Sequence, residues 1–222
     1  HIHTGEGGVI FTNNKVLYER CCLIRNHAEI VIYEKKRVKN ISNLIGHNFR
    51  FGEIESAIGC VQIKKLKKSV LRRQIIAKKL NAALKKYKWL QIPKVSKNST
   101  HAYYIYPLVI KTNQISITRD DIILLLKKVG IDCISRGYLP ANLLPLFKRK
   151  IAFGNKKYPW SLNKNKKYSY KKGTCPIAEK LYFKELLSFE MCCYQLDDKD
   201  LDKLIKAFTN VFNLVDMKIK CK

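Results

Sequence analysis

The feature that most limits how this chain can fold is a single long run of apolar residues at helical spacing. Ile54, Ala57, Ile58 and Val61 recur at three- and four-residue intervals, followed by Ile63, Leu66, Val70, Ile76, Leu80 and Leu84. No proline interrupts the run before Pro93, so the spacing predicts one helix from Gly52 to about Tyr87. Gly52 is a weak N-cap because it brings no side-chain oxygen to the first free amides. Glu53 and Glu55 favour the positive end of the helix dipole. Directly upstream, Gly46-His47-Asn48-Phe49-Arg50-Phe51 forms a short aromatic loop with one amide and one guanidinium. Such groups at the mouth of a helix often hold an anion, although the same residues also suit a plain loop leading into a core helix.

With 222 residues, 46% of them hydrophobic, the chain can bury a sizeable core as one large or two small domains. No apolar run approaches the roughly 20 residues of a membrane span, and there is no secretory signal pattern. The first residue is His1, and the only methionines are Met191 and Met217. The expectation is therefore the C-terminal portion of a longer protein.

Lysine and arginine number 44 against 17 acidic residues, a formal charge of +27. That excess suits a polyanion binder. The lysines, however, are spread in pairs such as Lys64-Lys65, Lys78-Lys79 and Lys156-Lys157, without the interleaved aromatics of a base-stacking sheet. Nucleic-acid binding is thus not favoured, although the charge would help attract a phosphate-bearing substrate. The eight cysteines include Cys21-Cys22 and Cys192-Cys193 but no C-x-x-C. Adjacent cysteines do not normally bridge each other or share a zinc, so the expectation is free thiols, no metal, and a reducing, cytoplasmic compartment.

Along the chain, Thr4-Gly5-Glu6-Gly7-Gly8 reads as a glycine turn leading into a strand at Val9-Ile10-Phe11-Thr12. Asn13-Asn14 opens a helix that Arg25-Asn26-His27 closes, and a further short strand is expected at Ile30-Val31-Ile32-Tyr33. The polar stretch Pro93 to Thr100 marks a join, dividing the chain into residues 1–92 and 93–222. Beyond it the pattern predicts a strand over Ala102 to Ile110 and a helix capped by Thr118-Arg119-Asp120-Asp121 that Gly130 ends. A strand follows at Ile131 to Ile134, then a long, partly ordered basic loop over 147–174. Cys175-Pro176 opens another helix, a short strand fits within Leu186 to Cys193, and Asp197 to Asp200 cap a last helix from Leu201 to Phe212. Strands alternating with helices define an α/β or α+β architecture.

Taken in order, several of these pieces resemble the DegT/DnrJ/EryC1/StrS family. They are Gly5-Glu6-Gly7-Gly8, Arg25-Asn26-His27, Gly46-x-Asn48-x-Arg50, His101-Ala102-Tyr103, Tyr138-Leu139-Pro140, Pro176-x-Ala178-Glu179 and the Asp-capped final helix. The resemblance implies the C-terminal part of the aspartate-aminotransferase fold (fold type I): the end of a large cofactor-binding domain over 1–92, including a long connecting helix, then a small α+β domain. It implies pyridoxal 5'-phosphate as cofactor and transfer of an amino group, commonly from glutamate, to a nucleotide-linked keto-sugar for amino-sugar or polysaccharide biosynthesis. It places the Schiff-base lysine immediately before His1, so no catalytic residue falls within the chain and the chain alone is expected to be inactive. Carried over by motif, Asn48 would help hold the cofactor phosphate across the interface of a homodimer, with Arg50 as support for the loop or for an anionic group. His47, where the family usually has Tyr, Tyr138 and Asn142 would face substrate. Two alternatives stay open. One is the dehydratase branch of the same family, in which His replaces the lysine; the other is a non-catalytic basic module binding nucleic acid or a partner protein.

Overall fold

A computed structural model describes residues 1–28, 44–162 and 169–220. The expected strand at Ile30 to Tyr33 lies outside them. The chain forms two compact units, His1–Ser69 and Val70–Lys222, which part inside the long helix. This boundary lies upstream of the 92/93 join read from composition. The reason is that Ile76, Ala77, Leu80 and Leu84 of that helix are core residues of the second unit.

In the first unit, α1 (Lys15–Arg25) starts where expected: the Asn14 side chain accepts the Leu17 N–H at 3.1 Å. Asn26 is its C-cap. The long helix α2 (Glu53–Leu84) begins with the Ser56 N–H donating to the Gly52 carbonyl at 2.9 Å. Val9 to Thr12, read as a strand, forms none. Val9, Ile10 and Phe11 are 67%, 74% and 91% exposed, and no described segment supplies the ladder that β-branched residues need to become a strand.

The second unit is built on four antiparallel strands, β1 (Leu90–Gln91), β2 (Tyr106–Ile110), β3 (Ile134–Ser135) and β4 (Leu186–Phe189), in the order β1-β2-β4-β3. Alternation along β2 puts Tyr106, Leu108 and Ile110 into the core. Against them pack the last turns of α2, α3 (Arg119–Lys128) and α6 (Asp198–Lys220). The strand expected over Ala102–Ile110 is shortened and that over Ile131–Ile134 displaced, while β4 falls within Leu186–Cys193 as expected. The positive φ of Tyr103 bars an extended backbone before β2, and β3 reaches only as far as Phe189 and Ser188 allow pairing. β1 had no periodic signal, since two residues cannot show one.

α3 is closed by a capping box in which Thr118 and Asp121 exchange hydrogen bonds, and Gly130 ends it at φ +92°. α6 runs well past Phe212, because Phe212 and Val215 remain buried on its inner face. Tyr87 and Trp89, just beyond α2, pack edge-on against Phe212 at 5.4 and 5.2 Å. Their polar ends reach the Asn213 and Asp216 side chains at 2.7 and 2.6 Å. Burial, with Asp216 nearby, pushes the Tyr87 hydroxyl up to about 12. The basic stretch over 147–174 is more ordered than expected where it is described. α4 (Pro145–Arg149) places Phe147 against the rings of Trp160 and Tyr170, whose side chains share a 3.1 Å hydrogen bond. α5 (Pro176–Lys180) continues into a π-helical turn, Leu181–Glu185, that enters β4.

Candidate functional site

Three motifs far apart in sequence meet in the first unit. The end of α1 and the loop before α2 are tied by backbone hydrogen bonds: His47 N to Ile24 O at 2.7 Å, His27 N to His47 O at 2.9 Å and Phe49 N to Arg25 O at 2.9 Å. Asn26 and Asn48 face each other across this bridge. Gly46 makes the approach feasible, because a Cβ there would stand 1.9 Å from the Ala28 nitrogen and 2.3 Å from the His27 carbonyl carbon. The glycine turn closes on the same loop. The Phe51 ring fills the position a Cβ of residue 7 would take, at 2.3 Å, and Gly7 sits at φ +145°.

The polar groups of this junction divide their work. Arg50 donates from Nη1 to Oδ1 of Asn26 at 2.8 Å, and Asn26 is only 9% exposed. The partner is a neutral amide, so the guanidinium keeps its full positive charge and further N–H groups. The Asn48 side chain is exposed and makes no hydrogen bond among the described residues. His47 is exposed and stacks on Phe49 at 4.8 Å. The Asn48 amide and the Arg50 guanidinium, two residues apart in one loop, supply donors for an anionic group, which the two acidic residues in the first turn of α2 oppose rather than help. The donor set therefore fits a phosphate such as that of pyridoxal 5'-phosphate. Asn26 and Gly46 received no role from sequence alone. Their signals, an amide directly after a helix end and a glycine two residues before Asn48, acquire meaning only once the two segments touch.

The remaining sequence candidates belong to the second unit. Tyr138 is 92% exposed and follows Gly137, which sits at φ +76°. Asn142 is turned to a different task, donating from Nδ2 to Oε1 of the buried Glu179 at 3.2 Å. Glu179 also accepts the N–H groups of Gly173 at 2.6 Å and Cys175 at 3.2 Å. The Gly173 N–H above all, then those of Cys175 and Asn142 with the Lys172 charge, holds the carboxyl below its ordinary range. Glu179 thus closes the start of α5, where Cys175 supplies no side-chain cap. Among the described residues no group of three or more His, Cys, Asp or Glu is placed to hold a metal ion. Nor is any described helix long and apolar enough to cross a membrane.

Comparison with known proteins adds to this geometry. The model of the DegT/DnrJ/EryC1/StrS aminotransferase family matches residues 1–208. An uncharacterized protein of Methanocaldococcus jannaschii is 30% identical over 84% of this chain and 45% of its own length. GDP-perosamine synthase of Escherichia coli O157:H7 is 30% identical over 50% of this chain and 29% of its own. Among solved structures, an aminotransferase from Psychrobacter cryohalolentis superposes with a TM-score of 0.68 at 19% identity, covering 92% of this chain and 51% of that one. The chain spans about half the length, or less, of the proteins it matches.

Proposed function

Given that this chain belongs to the DegT/DnrJ/EryC1/StrS aminotransferase family, we propose that it serves the transfer of an amino group, from glutamate, to a nucleotide-linked keto-sugar. The product would feed amino-sugar or polysaccharide biosynthesis in the cytoplasm. The observation that supports this best is the junction of the three motifs. It leaves the Asn48 amide unengaged beside an Arg50 that Asn26 has already oriented. Pyridoxal 5'-phosphate, when bound, supplies the electron sink through which an amino nitrogen can be carried from donor to acceptor.

In this reading the residues of the chain bind and orient. Asn48 donates an N–H to the cofactor phosphate, and Arg50 adds charge while keeping the loop on the end of α1. The loop acts on the active site of a second subunit, so the working unit is a homodimer. His47, carried on the Phe49 ring, and the exposed Tyr138 phenol offer contacts to the sugar. Asn142, whose Nδ2 is taken by Glu179, offers its Oδ1 as an acceptor. The Schiff-base lysine is assigned to the position before His1. The GDP-sugar named for one relative agrees with a nucleotide-linked substrate.

The test is Asn48→Ala in the full-length protein, with cofactor retention followed by absorbance during dialysis. A lost hydrogen bond to a charged group is worth about 1.5–3 kcal/mol, so affinity for the cofactor should fall by about ten- to a hundred-fold. Unchanged retention would overturn the phosphate role.

A further inference from the structure

The second unit carries a cleft of about 340 Å³ that the transamination reading does not use. Gln74, Lys78 and Asn81, from the C-terminal half of α2, line it together with Thr100, His101 and Tyr103, which precede β2. This is where the His101-Ala102-Tyr103 motif falls. The segment is held in an unusual conformation. Tyr103 is buried with φ +52°, and its N–H donates to Nδ1 of His101 at 2.8 Å while the two rings lie 4.2 Å apart, tilted by 33°. The His101 carbonyl in turn accepts from Nε2 of Gln74 at 3.1 Å, and Oδ1 of Asn81 accepts the Tyr106 hydroxyl at 2.6 Å. A bulky residue at positive φ costs roughly 1–3 kcal/mol and persists only where its surroundings over-determine it, a situation that clusters at functional sites.

The bonds to His101 Nδ1 and Asn81 Oδ1 consume acceptors and leave donors, whereas Gln74 spends a donor on the His101 carbonyl and keeps its Oε1. With Nδ1 of His101 accepting, the neutral ring carries its proton on Nε2. With Oδ1 of Asn81 accepting, its Nδ2 amide is the group left over. Lys78 makes no ion pair among the described residues. The Thr100 hydroxyl completes a set in which no lining side chain is acidic. Donors without a counter-charge select an oxyanion. The volume, within the range of small-molecule sites, leaves room for more than the anionic group itself.

We propose that this cleft is a binding site for a small molecule bearing a phosphate or carboxylate group, received by Lys78, Thr100, Asn81 and His101. The test titrates the full chain with inorganic phosphate and, separately, with succinate, following the Asn81 side-chain amide and the His101 ring by NMR. Saturable shifts are expected with at least one of the two. Shifts with phosphate alone identify a phosphorylated ligand; shifts with succinate alone identify a carboxylate. Lys78→Met should weaken binding on the order of tenfold, the effect of losing one charge-assisted hydrogen bond. Thr100→Val, on an exposed residue that holds no other group, should weaken it severalfold, and Lys128→Met, outside the cleft, should leave it unchanged. The proposal is overturned if neither probe gives a saturable shift. It is also overturned if Lys78→Met and Lys128→Met weaken binding equally, since the overall charge of +27 would then account for it.

Discussion

Gly46→Ala is the sharpest probe of the junction between the end of α1 and the loop before α2. The new methyl would stand 1.9 and 2.3 Å from backbone atoms of Ala28 and His27, where real Cβ contacts stay above 3.0 Å. Backbone cannot swing aside like the tip of a side chain, so the two segments must separate by about 1 Å or more. The three hydrogen bonds at 2.7–2.9 Å that join them would then pass the distance at which an N–H···O contact counts as bonded. At about 0.5–1.5 kcal/mol each, their loss destabilises the junction by about 2–4 kcal/mol. The assay is amide hydrogen exchange at His27, His47 and Phe49. Protection should drop by a factor of about 30 to 1,000, since each 1.4 kcal/mol is tenfold, while amides of β2 and β4 in the second unit keep theirs. Exchange at those three amides within about threefold of wild type would refute the argument, because the loop would then not depend on close backbone approach. If the junction does open, Asn48 loses its platform, and cofactor retention in the full-length protein should fall with it.

Two further variants test the second unit. Arg119, 1% exposed, donates to the carbonyls of Tyr182, Phe183 and Leu186 and pairs with Asp120. Arg119→Met strands those carbonyls at a cost of about 1–3 kcal/mol, read as a lower denaturant midpoint. Arg119→Lys recovers only part of it, because an ammonium cannot fork between them; full recovery by lysine would show that charge alone suffices. The second variant, Asp121→Asn, concerns pH. Hydrogen bonds from the Thr118 hydroxyl, then from its N–H, hold the Asp121 carboxyl below its ordinary value of 3.8. With the folded value depressed, the unfolded chain takes up the proton more readily. The stabilisation is therefore complete above the unfolded value and lost as pH falls through the folded one. The gap in melting temperature between wild type and Asp121→Asn should stay constant from about pH 7 to 5 and close below about pH 4. A gap that ignores pH would sink the cap's electrostatic account.

What could be read in advance depended on how local the cause was. Caps and periods are local: Asn14, the Thr118–Asp121 box, Gly130 and the apolar spacing of α2 each act within a few residues, and those helices lie close to where the pattern put them. Strands are not local. Val9 to Thr12 has the composition of a strand yet pairs with nothing described, whereas Leu90–Gln91 has no pattern at all and becomes one because Val109 and Ile110 lie alongside. The candidate site divides in the same way. Asn48 and Arg50 stood out as donors at a helix mouth. That Arg50 is oriented by the buried Asn26, and that the Asn142 amide is taken by Glu179, depends on groups 24 and 37 residues away.

By itself, then, the sequence determined α1, α2 and α3, the family and the chemical character of the loop before α2, because propensity, capping and motif order are written in short stretches. Tertiary structure alone decided the strand order β1-β2-β4-β3, the meeting of the glycine turn, the end of α1 and the Asn48 loop, and the donor-lined cleft at His101. The physical reason is that hydrogen-bond saturation and close backbone approach are properties of pairs. A residue far along the chain settles whether a donor is spent or left over, and no single stretch of sequence carries that information.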